Sequence, residues 1–112
     1  MAVGDVTQKK LLAKALNIAA SQNYLTGAAS KVTTITSITV FNSSSSIGRT
    51  VDIYAYGTNA ANVIARIPLA PLATEILTGL DYVLTAGERF YFGPSADNVI
   101  NIVVMGIEEV VA

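Results

Sequence analysis

The amino-acid sequence predicts an all-β protein, an antiparallel β-sandwich of jelly-roll or Ig-like type in a single domain. Three observations carry this expectation. Turn-forming clusters of Gly, Pro, Ser, Asn and Asp punctuate the chain at the spacing of about 8–12 residues that sandwiches show. Between them, from Lys31 onward, the segments are rich in Val, Ile, Thr, Tyr and Phe, which suit a pleated, half-buried surface. Within Thr50–Tyr56 the apolar residues alternate, Val51, Ile53 and Ala55 against Asp52, Tyr54 and Tyr56, which is the period of a strand with one buried face.

The first 30 residues read two ways. Thr7 is a competent helix cap, and Leu11, Leu12, Ala15, Leu16 and Ala19 fall at helical spacing in a run of good helix formers. The same stretch alternates as a strand would, with Leu12, Lys14, Leu16 and Ile18 opposed to Leu11, Ala13, Ala15 and Asn17. Local propensity alone favours the helix. Beyond it, Lys31–Asn42 is a long strand closed by the loop Ser43–Ser46 with Gly48, and Thr50–Tyr56 is the next, ended by Gly57-Thr58-Asn59. Val63, Ala65, Ile67 and Leu69 alternate, and Pro68 and Pro71 place the end of that strand at a sheet edge, where a missing N–H is tolerated. Short strands follow at Thr74–Leu77 and Tyr82–Leu84, then the turn Ala86-Gly87-Glu88, the strand Arg89–Phe92 and the turn Gly93-Pro94-Ser95. Val99–Ile107 is almost continuously apolar, the pattern of a strand covered on both faces.

Composition narrows the function. The chain has 112 residues, one domain's worth, with no second module expected. Only 13% of residues are charged, against about 25% in an ordinary soluble domain. So small a chain leaves much of itself on the surface, so this scarcity points to a surface partly covered by partners, an oligomer or assembly subunit. A net charge of −1 gives no basic field for nucleic acid. No run reaches the ~20 apolar residues of a membrane helix. Lys9-Lys10 followed by Leu11-Leu12-Ala13 faintly resembles a signal peptide, but Lys14 interrupts the apolar stretch and Asp5 sits where base is needed.

The chemistry of catalysis is thin. With no His and no Cys, the commonest general base, the thiol nucleophile, disulfides and the usual transition-metal ligands are all missing, and no phosphate loop, nucleophile elbow or calcium-loop pattern occurs. No enzyme, no cofactor and no metal site is expected. Glu108 and Glu109 are adjacent, so in a strand they point to opposite faces and read as a solvated strand end. Asp81 and Asp97 sit in turn contexts. Asn42-Ser43-Ser44 matches a glycosylation sequon, but without a secretory signal it reads as a polar loop.

The candidate interface residues are Tyr54, Tyr56, Asp52, Lys9, Lys10 and Lys14. Tyr54 and Tyr56, two apart on one strand face, form the amphipathic stripe that interfaces favour; packing beneath a loop or a second sheet is the competing reading. Asp52 beside them argues against nucleic-acid stacking, which needs interleaved basic residues. Charge divides along the chain: residues 1–50 sum to +4, with Lys9, Lys10 and Lys14 leading, and residues 51–112 sum to −5. Basic leading residues could meet an acidic surface of a neighbouring copy, or pair within the monomer.

The order of elements resembles that of small virion proteins of tailed bacteriophages. The matching pieces are Leu11–Ala20, Tyr24-Leu25-Thr26-Gly27-Ala28, Lys31–Asn42 with Ser43, Arg49-Thr50-Val51-Asp52-Ile53-Tyr54, Thr58–Asn62 and Ile67-Pro68-Leu69. Leu84-Thr85-Ala86-Gly87-Glu88-Arg89-Phe90-Tyr91 and Gly106-Ile107-Glu108 complete the set, so the likeness runs over residues 11–109. Gly27 departs from it, standing where Pro is frequent. The resemblance implies a β-sandwich over residues 11–112 with Leu11–Ile18 as a strand, preceded by an extended N-terminal arm, residues 1–10, that docks on a neighbour. It implies a virion protein, made in the bacterial host cytoplasm: a capsid decoration (cement) or head-fibre-type subunit that binds itself and the major capsid protein. A tail or neck component is the alternative within the class. Outside it stands a carbohydrate- or receptor-binding module with Tyr54, Tyr56, Asp52 and Asn59 as a sugar platform.

Overall fold

The computed structural model describes residues 2–112. The strands are β1 (Val6–Ala15), β2 (Tyr24–Thr26), β3 (Lys31–Asn42), β4 (Arg49–Ala55), β5 (Val63–Leu69), β6 (Thr74–Leu77), β7 (Tyr82–Leu84), β8 (Arg89–Pro94) and β9 (Ile100–Val110). Two single 3-10 turns, Ala20–Gln22 and Ala60–Asn62, are the only helical segments among the described residues. The strands form two antiparallel sheets: a long one in the order β1-β9-β3-β6, with β7 also on β3, and a short one in the order β2-β8-β4-β5. With β6 and β7 counted as one broken edge strand, this is the eight-stranded, two-sheet order of a jelly roll.

Side chains from the two inner faces make the core. The long sheet contributes Ile35, Ile38, Val40, Ile100, Ile102 and Val104, and the short sheet contributes Val51, Ile53, Phe90, Phe92, Ile67 and Leu69, all buried. The alternation expected for β4 holds, with Val51 and Ile53 inward and Asp52 outward. Along β3 the inward set changes parity, from Thr33 and Ile35 to Ile38, Val40 and Asn42. A bulge at Thr36 causes this, since one extra residue shifts every later side chain by one position.

The leading segment is a strand and not a helix. Pairing with β9 buries Leu16 and half-buries Leu11 and Leu12, a gain that an isolated helix here would lack, so tertiary burial overrides propensity. The strand starts at Val6, earlier than expected, and ends at Ala15. Residues Val6–Lys10 of the expected arm are extended but lie along β9 of their own chain, opposite Glu109 to Met105, and the Gly4 N–H donates to the Val110 carbonyl at 2.7 Å. The expected boundary between residues 10 and 11 falls on a bulge inside one continuous strand. Met1 lies outside the described residues.

That bulge belongs to a larger feature. The register of β1 slips between Lys10 and Leu12, opposite Met105 and Val104, and that of β3 slips between Ile35 and Ser37, opposite Gly106 and Met105. At the same level the edge strand breaks between β6 and β7, and the Leu80 N–H bonds the Thr36 carbonyl. A crease therefore crosses the whole long sheet. Gly106 sits on it because a Cβ there would collide with the Thr34 carbonyl and with Leu11.

Candidate assembly surfaces

The outer face of the long sheet is apolar and uncovered. On β9 the outward residues are Asn101, Val103, Met105, Ile107 and Glu109. Val103 lies between Ala13 and Thr39, and Thr39 is paired in turn with Ile76 of β6; Ile107 lies between Gln8 and Thr34, and Thr34 is paired with Val83 of β7. Val103, Met105, Ile76 and Val83 are 37%, 40%, 57% and 40% exposed. Val99–Ile107 was expected to be covered on both faces; within this chain only the inner face, Ile100, Ile102 and Val104, is covered. The hydrophobicity was legible in the sequence, but the second cover it predicted is absent, and Val103 and Met105 are open.

The outer face of the short sheet carries a tyrosine row. Tyr54 on β4 is directly opposite Tyr91 on β8, and Tyr91 is opposite Tyr24 on β2. The Tyr24 and Tyr91 rings lie 6.3 Å apart, and the Arg89 guanidinium sits 4.1 Å from the centre of the Tyr24 ring, a cation–π contact. At the other end Asp52, a candidate interface residue, accepts from Arg66 Nε and Nη2 at 2.8 and 2.9 Å, a bidentate ion pair within the chain that holds the Arg66 guanidinium more basic than usual. Gly93 lies under Tyr54 and lets the ring lie against the backbone.

Tyr56 does not share this face. Its φ of +65° turns the chain just after β4, and its ring packs edge-on against the core residue Phe90, 5.2 Å between centres, while its hydroxyl donates to the Val83 carbonyl of the other sheet at 2.8 Å. Strict alternation assumed a straight strand, but the register slips between Ile53 and Tyr54 and the left-handed residue follows. Asn59 is likewise occupied locally, exchanging backbone and side-chain bonds with Asn62 at the 3-10 turn. Of the four platform residues, Tyr54 and Asp52 are together and Tyr56 and Asn59 are elsewhere.

The three lysines have different surroundings. Lys9 reaches Glu108 Oε1 at 3.0 Å, and Lys31 reaches the same oxygen at 3.5 Å. Glu108 is thus no solvated strand end: its side chain is 11% exposed, on the inward line of β9. Burial pushes its carboxyl up, but Lys9 and Lys31 more than offset this and hold it below the usual glutamate range. Lys14 bonds the Gln22 carbonyl at 3.2 Å, and Lys10 is exposed on the outer face beside Met105.

Two buried amides have no counterpart in the sequence reading. Asn42, the sequon residue, is fully buried, and its amide donates to the Ile47, Leu69 and Ala70 carbonyls at 2.9–3.2 Å, so in the folded chain it is no glycan acceptor. Asn23 is also fully buried and ties the Asn17–Gln22 segment to β8, donating to the Asn17 and Phe92 carbonyls at 2.7 and 2.8 Å. Among the described residues no group of three or more Asp or Glu is placed to hold a metal ion.

No family model matches the sequence, and no curated protein matches it. Among solved structures it is similar to a chain described by the words "Bacillus endospore appendages form a novel family of disulfide-linked pili". The identity is 13% and the TM-score 0.48, over 100% of this chain and 96% of that chain. A likeness of that size says nothing about function.

Proposed function

We propose that this chain is a structural subunit of a bacteriophage virion, a capsid decoration or head-fibre-type protein that works by burying its sheet faces against copies of itself and against the capsid. The observation that carries the assembly reading is the outer face of the long sheet, where Val103, Met105, Ile76 and Val83 are presented among Thr side chains, with Lys10 and Glu109 as its charges. Scattered exposed apolar residues are ordinary, but a contiguous apolar sheet face is a surface made to be covered. The placement in a virion rests on the ordered resemblance over residues 11–109. Many weak copies bound together on a lattice need no single strong site. The decisive experiment is mass spectrometry of purified particles with imaging of the particle surface. The expected result is this chain at many copies per particle on the head; a tail or neck position would move it within the class, and its absence from particles would reject the reading.

A second reading is favoured by the row Tyr24, Tyr91 and Tyr54, flanked by Arg89 and the Asp52–Arg66 pair: a carbohydrate- or receptor-binding face. Flat aromatic surfaces with charged hydrogen-bonding groups at the margin suit sugar rings. Saturable glycan-array binding that is lost in Tyr54→Ala would support it, and an empty array would reject it.

A further inference from the structure

The two edges of the long sheet differ from those of the short sheet and from each other. The short sheet ends in β2, which is three residues long, and in β5, which carries Pro68; both are blunted in the ways that discourage strand addition. The long sheet ends in β1, ten residues, and in the β6–β7 edge, neither containing proline. Leu16 directs its N–H to Ile100 and its carbonyl to Asn98, so by alternation the main-chain groups of Ala13 and Ala15 point away from β9 into the open edge. The β1 edge carries Lys9, Lys10 and Lys14 and no acid within the strand. The β6–β7 edge carries Glu75 and Asp81, and no Lys or Arg occurs between Arg66 and Arg89.

We infer that the long sheet continues from one copy of this chain to the next, the β1 edge of each pairing with the β6–β7 edge of its neighbour; this deepens the assembly reading and rests on it. The direction of the strands permits it. Three antiparallel steps, β1–β9, β9–β3 and β3 to β6–β7, separate the two edges, so a copy placed beside β6–β7 in the same orientation presents its β1 antiparallel to them. The charges select it. Two β1 edges would oppose lysines with lysines and two β6–β7 edges acids with acids, so symmetric dimers are disfavoured and the head-to-tail contact is favoured. Such a contact is heterologous and does not close at two; it propagates to a ring or a filament. It also joins the Val103–Ile76 faces of successive copies into one continuous apolar band, the surface the proposed capsid contact needs.

Sedimentation velocity and mass photometry of the purified full chain over a concentration series test this. The expected wild-type result is a ladder passing through trimer and beyond. Lys10→Glu with Lys14→Glu, and separately Glu75→Lys with Asp81→Lys, should each weaken association at least about tenfold. The four substitutions combined should restore it, because the reversed edges are again complementary. Ala13→Pro, which removes an edge N–H without touching the β1–β9 ladder, should abolish the ladder while circular dichroism stays unchanged; should that variant misfold, the charge-reversal set still decides. Assembly that stops at a dimer, a monomer at every concentration, or no restoration in the fourfold variant would overturn the inference. Finding the chain on particles while it stays monomeric in solution would reject this contact and leave the virion reading standing; ladders from a chain absent from particles would do the reverse.

Discussion

Asn42 shows how much one buried side chain can hold. Its amide satisfies carbonyls from the β3–β4 loop and from the end of β5, and its carbonyl accepts the Ser44 N–H at 3.0 Å. Removing it strands the buried Leu69 carbonyl, at a cost on the order of 1–3 kcal/mol, and frees the part-buried Ile47 and Ala70 carbonyls, which water can reach. Asn42→Ala should therefore lower unfolding free energy by about 2–3 kcal/mol in a urea titration, a large part of a small domain's stability. Glu108 makes a prediction in pH. Its carboxyl is held below the ordinary range in the folded chain, so its contribution to stability is fully present above the unfolded-state pKa and is lost as pH falls through the lower folded value. Glu108→Gln should flatten the acid limb of urea midpoint against pH between neutral and pH ~3. Glu88, held low by bonds from Thr85, is fully exposed and remains in both proteins as the background.

At the scale of elements, the crease through Leu11, Met105–Gly106 and Thr36 decides which residues face in. Gly106→Ala would push a methyl into the Thr34 carbonyl of β3 and into Leu11, and main-chain atoms of a central pair cannot yield cheaply. It should cost about 1–3 kcal/mol in thermal or denaturant unfolding, the usual range for overpacking. Most strands were legible in the sequence: Lys31–Asn42, Val63–Leu69, Thr74–Leu77 and Tyr82–Leu84 coincide with β3, β5, β6 and β7. Their composition and flanking turns act locally, so local reading finds them. Bulges are not local, since they are set by which residues the partner strand presents, and the start of β1 at Val6 is set the same way by β9.

At the scale of the molecule, the two sheets are unequal. The long sheet's central strands have 12 and 11 residues and the short sheet's longest have seven, so they are longer by five and four residues, roughly 13–17 Å of strand. The molecule is accordingly elongated, 49 × 25 × 20 Å. Both sheets leave an outer face free, and the long sheet's is the apolar one. Met105→Lys with Val103→Lys should leave the unfolding free energy within about 0.5 kcal/mol of wild type, as substitutions on an exposed face usually do. Incorporation of that variant into particles should fall sharply; unchanged incorporation would remove this face from the assembly surface.

The sequence by itself determined the β class, the positions of most strands and turns, the inward residues of β4 and the absence of His and Cys, because propensity, alternation and composition are properties of neighbouring residues. Its run of apolar residues in Val99–Ile107 predicted a strand covered on both faces; only the tertiary structure decided that one face is covered and that Val103 and Met105 stand on an open one. It likewise decided that Tyr54 belongs with Tyr91 and Tyr24 and not with Tyr56, and that Lys9 finds Glu108 across 99 positions of chain. Those are facts of cross-strand register, and register couples residues that the chain itself keeps far apart.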